Sequence, residues 1–448
     1  MKRLFSLTLI VIAYFAGLTP ACMAQNILDL DGLIQEALDN NPEIAASRNK
    51  KDALWQRPSQ VKAWDDPRLT FGVINLPVDD FDFNKQDTTQ KTVSLMQQIP
   101  FPGITSLREK VAVEEAKSAD SQVEDIKTRI VKEVKKAYFQ LCFINESIEI
   151  TEANEDLSKK FVEFTQTKYE VGRGLQEDIL KAQVELYKMQ EKLIDLRQGQ
   201  ATLQAELNML LNRDRTNPIK GKPVLKNTVF NSTLAELEET ALASNPRLLS
   251  LKHLIERSEA EHSLAKKMYF PKFTITASYG QRDNRLDARP FPARVIAADG
   301  SFNDVTVAPL SDDRHRPDFF SFLVGINIPL WFKSKQNKKV SEAYYRVAQA
   351  KSRYESVKND IYFNLRDRTA RITKGKDLME LYKDSIIPQA EQSLNADMAA
   401  YQVGKIDFLT LLSSQITLFK YEIQYRRVMS DYEKDLAGLE AVVGKRLF

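Results

Sequence analysis

The chain has few residues that break helices, and few cysteines. It holds only 15 glycines among 448 residues, alongside abundant Ala, Glu, Lys, Leu and Arg, and this composition favours long helices. Of the 2 cysteines, Cys22 lies in a segment that we expect to be removed, so no intrachain disulfide is predicted. We interpret Cys142, beside an apolar helical seam, as a small buried hydrophobe.

The sequence also lacks a charge imbalance, a long apolar run and a catalytic motif. The net charge of +3 gives no support to a nucleic-acid partner. After the N-terminus, no stretch is apolar for the roughly 20 residues of a membrane helix. His253, His262 and His315 are far apart in sequence, so we interpret them as surface or packing residues. We predict no catalytic residue, no cofactor and no metal site.

The N-terminus has the pattern of a secretory signal. Two basic residues precede an apolar run at 4–18, and small residues follow. We predict that residues 1–24 are removed by cleavage after Ala24, so that the protein is exported. The alternative is that the chain is cleaved immediately before Cys22 and that this cysteine is then lipidated.

The chain contains an internal repeat. Residues 33–48 match residues 237–252 at an offset of 204, and Tyr-x-Val-Gly at 169–172 matches 401–404 at an offset of 232. The second copy therefore carries an insertion between these landmarks. We predict two tandem repeats, at 25–228 and 229–448.

Each repeat contains two segments in which apolar residues alternate with small or polar ones. They have the length of a tilted membrane strand of roughly ten residues. Four strands cannot close a barrel, so we expect several chains to contribute. The predicted strands are about 68–76, 91–99, 272–281 and 319–328.

A long helix follows each pair of strands, and a shorter helix returns from it. Residues 104–171 contain no Gly and no Pro, and one helix of this length would extend about 100 Å. Its apolar residues form a heptad-like seam. We expect the second long helix to bend at Gly375 and Pro388. The predicted helices are 104–171, 175–213, 334–401 and 408–443, each repeat opening with a helix that starts at Pro42 or Pro246.

Three motifs occur in the same order in both repeats. They are Ala-Leu-x-x-Asn-Pro (37–42 and 241–246), the strand-to-helix joints (97–103 and 326–332) and the tip motifs (169–174 and 401–406). With them the chain resembles the TolC family of outer-membrane efflux and secretion channels. The joint at 96–103 is most similar to the heavy-metal-efflux branch.

This resemblance implies an α+β membrane protein in the outer membrane, extending into the periplasm. Each chain of a homotrimer would contribute four strands to a shared transmembrane β-barrel, and its tandem repeats would form a long antiparallel α-helical coiled-coil barrel. The implied function is passive conduction of drugs or metal cations in a tripartite efflux system. The partners would be outer-membrane lipid, a periplasmic adaptor and an inner-membrane pump, of the RND type.

The resemblance also suggests functional residues at the tips and the membrane interface. The tips would dock the adaptor, although they are also typical of ordinary helix-hairpin turns. Thr410 and Ser413 stand where well-known members carry pore aspartates, so carboxylates nearby become the selectivity candidates. The tyrosines at the tips would either join neighbouring helices through hydrogen bonds or fill the helical seam. The docking residues are Val171, Gly172, Arg173, Gly174, Val403, Gly404 and Lys405; the selectivity residues are Asp178, Asp407, Tyr169 and Tyr401; the interface aromatics are Phe101, Trp331 and Phe332.

Two other functions agree with the same patterns. A type I secretion duct for polypeptides would share the strands and the long helices. A periplasmic coiled-coil scaffold would instead use the strands as a soluble sheet. A detergent-requiring trimer would indicate a channel, and a soluble monomer a scaffold.

Overall fold

The structure, a computed structural model, describes residues 28–79, 81–84, 86–214, 216–219, 221–225, 228–284, 291–307 and 315–448. The predicted signal segment 1–24, with the alternative at Cys22, lies outside these ranges. In chain order the elements are α1 (Leu30–Asn40), α2 (Pro42–Trp55), α3 (Arg57–Lys62), β1 (Arg68–Ile74), β2 (Gln90–Ile99), α4 (Ile104–Glu170), α5 (Gln176–Leu211), α6 (Leu234–Ser244), α7 (Pro246–Lys267), β3 (Lys272–Gln281), β4 (Phe291–Ile296), β5 (Phe302–Val307), β6 (Phe319–Asn327), α8 (Gln336–Leu381), a π-helical turn (Tyr382–Ile386), α9 (Ile387–Gln402) and α10 (Phe408–Val443).

The chain divides into two units, each of which draws residues from both predicted repeats. The first comprises Met1–Ser47, Val123–Pro246 and Val357–Phe448, and the second comprises Arg48–Gln122 and Arg247–Ser356. The helix tips belong to the first unit, and the six strands found in the described part of the chain belong to the second.

The second unit contains a four-stranded antiparallel sheet in the order β1-β2-β3-β6. Its register places the large side chains of Phe71, Val93, Tyr279 and Phe320 in one row across the four strands. All four are exposed, Phe320 by 73%. The next row, on the opposite face, consists of hydroxyl residues: Thr70, Ser94, Ser278 and Ser321. The alternation seen in the sequence thus produces an exposed apolar face and a small, polar face.

The first unit is built around the seam of α4. Val134 and Leu141 are almost fully buried and pack in one cluster with Leu33 of α1 and Leu211 of α5. Cys142 lies in the same cluster, and burial raises the pKa of its thiol, which confirms the interpretation of this residue as a small hydrophobe. Among the described residues, no helix combines the length and the apolarity needed to cross a membrane.

The second long helix is continuous through Gly375, one of the two positions where the sequence predicts a bend. This glycine provides a close helix contact. A Cβ atom added there would lie 3.3 Å from the ring of Tyr432 on α10. At the second position, Pro388, a π-helical turn at Tyr382–Ile386 directly precedes the proline. Proline lacks an N–H group, so the regular hydrogen-bond ladder must rearrange there.

Three further features differ from the predicted elements. The first opening helix stops at Trp55 and resumes at Arg57, with a proline in its first turn. Helices α1 and α6 precede the Asn-Pro motifs and were not predicted, although the Thr233–Glu236 capping box marks the start of α6. The insertion of the second repeat contains the antiparallel hairpin β4–β5.

Candidate functional site: the helix tips

Both tips use the same glycine-terminated helix ending. Gly172 has φ +69° and Gly404 has φ +75°, so both adopt the left-handed conformation that glycine accommodates without a steric penalty. The N–H of Gly172 donates to Tyr169 O at 2.9 Å, and that of Arg173 donates to Lys168 O at 2.8 Å. Gly404 and Lys405 repeat this pattern in the second tip. This is the Schellman arrangement, which satisfies carbonyl groups at a helix C-terminus.

The residues around these glycines are exposed. Val171 is 64% and Val403 is 69% exposed, and a Cβ atom on Gly172 or Gly404 would meet no heavy atom within 4 Å. Gly174 differs, because a Cβ atom there would lie 2.9 Å from the backbone nitrogen of Tyr169. The first tip therefore needs Gly174 for close packing, whereas both tips present an open surface at the capping glycines.

The two tyrosines predicted at the tips have different environments. Tyr169 is about half exposed, but Tyr401 is buried in an apolar cluster with Phe161 and Phe408. Burial, reinforced by the negative charge of Asp178, raises the pKa of Tyr401 to about 12. Tyr401 thus fills the seam within the chain, and only Tyr169 offers its side chain to a neighbour.

Lys168 was not identified from the sequence, although it connects the two tips. Its Nζ donates to the carbonyl oxygen of Tyr401 at 2.7 Å. The same Nζ lies 3.8 Å from the centroid of the Tyr401 ring, in a cation–π contact. The two residues are 233 positions apart, so no local sequence signal could have indicated this contact.

The predicted selectivity carboxylates lie near a common lysine. Lys181 Nζ lies 2.6 Å from Glu177, and this hydrogen bond, with smaller contributions from Asp178 and Asp407, raises the pKa of Lys181. Asp407 caps α10: its carboxylate accepts from the N–H of Thr410 at 2.8 Å and from the hydroxyl at 2.6 Å. These bonds lower the pKa of Asp407. The tips therefore carry fixed negative charge that Lys181 partly neutralises.

The predicted interface aromatics flank the junctions between strands and helices. Phe101 stacks on Phe270 with a centroid distance of 4.3 Å, and Lys267 Nζ lies 5.5 Å from the Phe101 ring. Trp331 is 74% exposed, and Phe332 is also exposed. Exposed rings with a lysine nearby at the end of a strand are typical of a membrane–water interface.

One histidine lies in a polar cluster in the second unit. His253 Nδ1 is 2.8 Å from Glu114 Oε2, and potential ligand atoms of these residues and Glu256 all lie within 4.8 Å of one another. Burial alone would raise the pKa of Glu114, but hydrogen bonds from Lys117 and His253 lower it overall. We interpreted His253 as isolated because its partner on α4 is 139 residues away.

Long helical hairpins with glycine-terminated tips and a four-stranded antiparallel sheet define an α+β protein of the helical-barrel channel class. Comparison with known proteins agrees. The chain is 18% identical over 418 residues to the cobalt-zinc-cadmium resistance protein CzcC of Cupriavidus metallidurans, covering 93% of this chain and 90% of that protein. It is 20% identical over 456 residues to the outer membrane protein TolC of Vibrio cholerae, covering 99% and 96%.

A solved structure shows the same fold. The crystal structure of the outer membrane protein VceC from Vibrio cholerae matches with a TM-score of 0.74 at 15% identity, covering 93% of this chain and 96% of that one. The family described as outer membrane efflux protein matches residues 33–213 and 237–445. The chain belongs to this family, and it is an outer-membrane protein that extends into the periplasm.

Proposed function

We propose that this protein is the exit channel of a tripartite efflux system. Three copies would form a passive conduit, without catalytic residues, for drugs or metal cations. An inner-membrane pump, of the RND type, would supply the energy, and a periplasmic adaptor would connect the pump to the helix tips. The relative named for cobalt, zinc and cadmium resistance supports metal cations as one class of substrate.

The observation that carries this proposal is the sheet of the second unit. Strands β1 and β6 are exposed along their whole length, and each pairs with one neighbour in the order β1-β2-β3-β6. In a membrane every backbone polar group needs a partner. Three copies would supply 3 × 4 = 12 strands, and pairing β6 of one copy with β1 of the next would satisfy both edges.

The polarity of the sheet supports the same arrangement. The row that begins with Phe71 would face lipid, and the hydroxyl row that begins with Thr70 would line the pore. Trp331 and Phe332 would lie at the level of the lipid head groups. Such a wall conducts solutes without a chemical step, so the energy for transport must come from the pump.

The open surface at the tips supports adaptor docking. Val171, Gly172 and Arg173 of the first tip and Val403, Gly404 and Lys405 of the second have exposed backbone or side chains. Small residues let a partner helix approach the backbone closely. We propose that the adaptor contacts both tips. Gly174 would allow the close backbone packing that maintains the conformation of the first tip.

Two measurements on purified protein test the exit-channel proposal. Native mass spectrometry from detergent should give three chains per particle, and planar bilayers should show stable conductance steps. A monomer that stays soluble without detergent and conducts nothing would instead indicate the periplasmic scaffold. Conductance combined with secretion of a large polypeptide, and no loss of drug or metal resistance on gene deletion, would indicate the secretion duct.

A further inference from the structure

We propose that Glu114, His253 and Glu256 form a binding site for a divalent transition-metal cation of the Zn²⁺ or Co²⁺ type. The site lies in the second unit, where α4 packs against α7. It is independent of the proposed transport function, because none of its residues lies at a tip or in a strand. The cation would be a resident ion that links two helices.

The geometry of the three side chains suits a small cation. His253 and Glu256 are three residues apart on α7, so they project from the same face of that helix. Glu114 on α4 faces them, and the potential ligand atoms all lie within 4.8 Å of one another. Zinc binds nitrogen and oxygen ligands at about 2.0–2.2 Å. Small rotations of these side chains would therefore bring all three ligands to one ion.

The charges of the cluster favour a cation. Glu114 is 4% exposed, and two carboxylates held so closely repel each other unless a positive charge lies between them. Lys117 Nζ contacts Glu114 Oε1 at 2.8 Å, whereas Glu114 Oε2 faces His253. One lysine offsets the charge of one carboxylate, and a divalent ion would offset the other.

The ligand types define the class of metal. One imidazole nitrogen and two carboxylate oxygens suit Zn²⁺, Co²⁺ or Ni²⁺ better than a soft ion such as Cu⁺, which prefers sulfur. The side chain of His253 is 27% exposed, so solvent reaches the cluster. Water molecules would complete the coordination shell.

The repeat provides an internal comparison. The positions that correspond to His253 and Glu256 in the first repeat, at an offset of 204, are Asn49 and Asp52. A helix forms there all the same, Pro42–Trp55, so the fold of an opening helix does not require the pair of His253 and Glu256.

Zinc titration of the full chain tests this site. Metal-free protein in detergent, titrated with ZnCl₂ in a calorimeter, should bind one ion per chain. His253→Gln and Glu256→Gln should each weaken the affinity at least about tenfold, the lower bound seen when metal-site partners are lost. His262→Gln, on the same helix but outside the cluster, and Asp52→Asn, at the corresponding position of the other repeat, should bind as the wild type does.

A second measurement separates binding from misfolding. ZnCl₂ should raise the melting temperature of the wild type and of His262→Gln, because an ion that binds only the folded state stabilises it. The melting temperature of His253→Gln should rise less than that of the wild type at the same ZnCl₂ concentration. The proposal would be overturned if the wild type did not bind one ion per chain. It would also be overturned if His253→Gln and Glu256→Gln bound zinc as tightly as the wild type does.

Discussion

The side-chain amide of Asn245 donates a hydrogen bond to the carbonyl oxygen of Val442 at 2.7 Å. Asn41 makes the equivalent bond to the carbonyl oxygen of Leu210 at 2.9 Å. The donors are 204 residues apart and the acceptors 232, the same two offsets that relate the motifs in the sequence. Both bonds join a short helix of one repeat to the C-terminal end of the helix that returns from its tip.

These two bonds should contribute strongly to stability. Asn41 is buried, and its Oδ1 also accepts from the N–H of Glu43 at 2.9 Å, as expected for the cap of α2. Asn41→Ala should lower the free energy of unfolding by about 1–3 kcal/mol, the cost of leaving a buried polar group unpaired. Asn245→Ala should have a similar effect.

Denaturant unfolding in detergent, followed by circular dichroism, measures both variants. Asn49→Ala is the matched control, since Asn49 is exposed on the same helix as the capped residues. It should change stability by less than about 0.5 kcal/mol. If Asn41→Ala is equally harmless, the hydrogen bond to Leu210 does not hold the helices together.

The docking proposal predicts a loss of export without a loss of assembly. Gly172→Val and Gly404→Val place a side chain in open space, so the only structural cost is the positive φ, roughly 1–2 kcal/mol per position. Oligomers should still form, whereas substrate efflux from whole cells should stop because the adaptor can no longer approach. Gly300→Val is the control, since Gly300 also has a positive φ, +83°, and open surroundings. Full efflux in the double tip variant would remove the docking role.

The tip carboxylates should determine ion preference. In planar bilayers under a KCl gradient, Asp178→Asn with Asp407→Asn should shift the reversal potential towards zero, because fixed negative charge attracts cations. Asparagine keeps the helix cap at position 407. Lys181→Gln should have the opposite effect and increase cation preference. Unchanged reversal potentials in both the double aspartate variant and Lys181→Gln would mean that these charges lie away from the ion path.

Glu433 should make stability depend on pH. Its carboxylate accepts from the N–H of Thr228 at 2.8 Å and from the hydroxyl at 3.0 Å, yet burial raises its pKa overall. The folded state therefore keeps this proton to a higher pH than the unfolded state does. The free energy of unfolding should fall as the pH rises from about 4.5, the ordinary value, through the raised pKa.

Glu433→Gln removes this dependence. The melting temperature of the variant relative to that of the wild type should increase as the pH rises from about 4.5, the ordinary value, through the raised pKa. Glu155→Gln is the opposite control, since hydrogen bonds from Gln190 and Lys159 lower the pKa of Glu155. For this pair, the melting temperature of the wild type should increase relative to that of the variant as the pH rises through the lowered pKa of Glu155 towards 4.5, the ordinary value. A difference for Glu433→Gln that is constant with pH would contradict the assigned shift.

The sequence predicted the features that depend on short-range periodicity. The strand Lys272–Gln281 and the helix Phe408–Val443 follow from the alternation of apolar residues and from the position of the repeated tip motif. Features that depend on distant contacts were missed. Gly375 was interpreted only as the site of a bend, because its contact with Tyr432 cannot be read from local sequence. The contact of Glu114 with His253 was missed for the same reason.

Disulfide trapping tests the central claim, that sheets of separate copies close one wall, most directly. One cysteine replaces Thr70 on β1, and a second is placed in turn at Ser321, Leu323 or Gly325 on β6. Paired strands bring Cα atoms about 4.5–5.5 Å apart, within disulfide reach. Cys142 is buried and does not compete.

Oxidation in native membranes should give covalent trimers in at least one of these pairs. Cysteines at Ser94 and Ser278, which pair within one sheet, should instead give an intrachain bond in a monomer. Monomers alone in every β1–β6 pair, with the intrachain control fully oxidised, would contradict the shared wall.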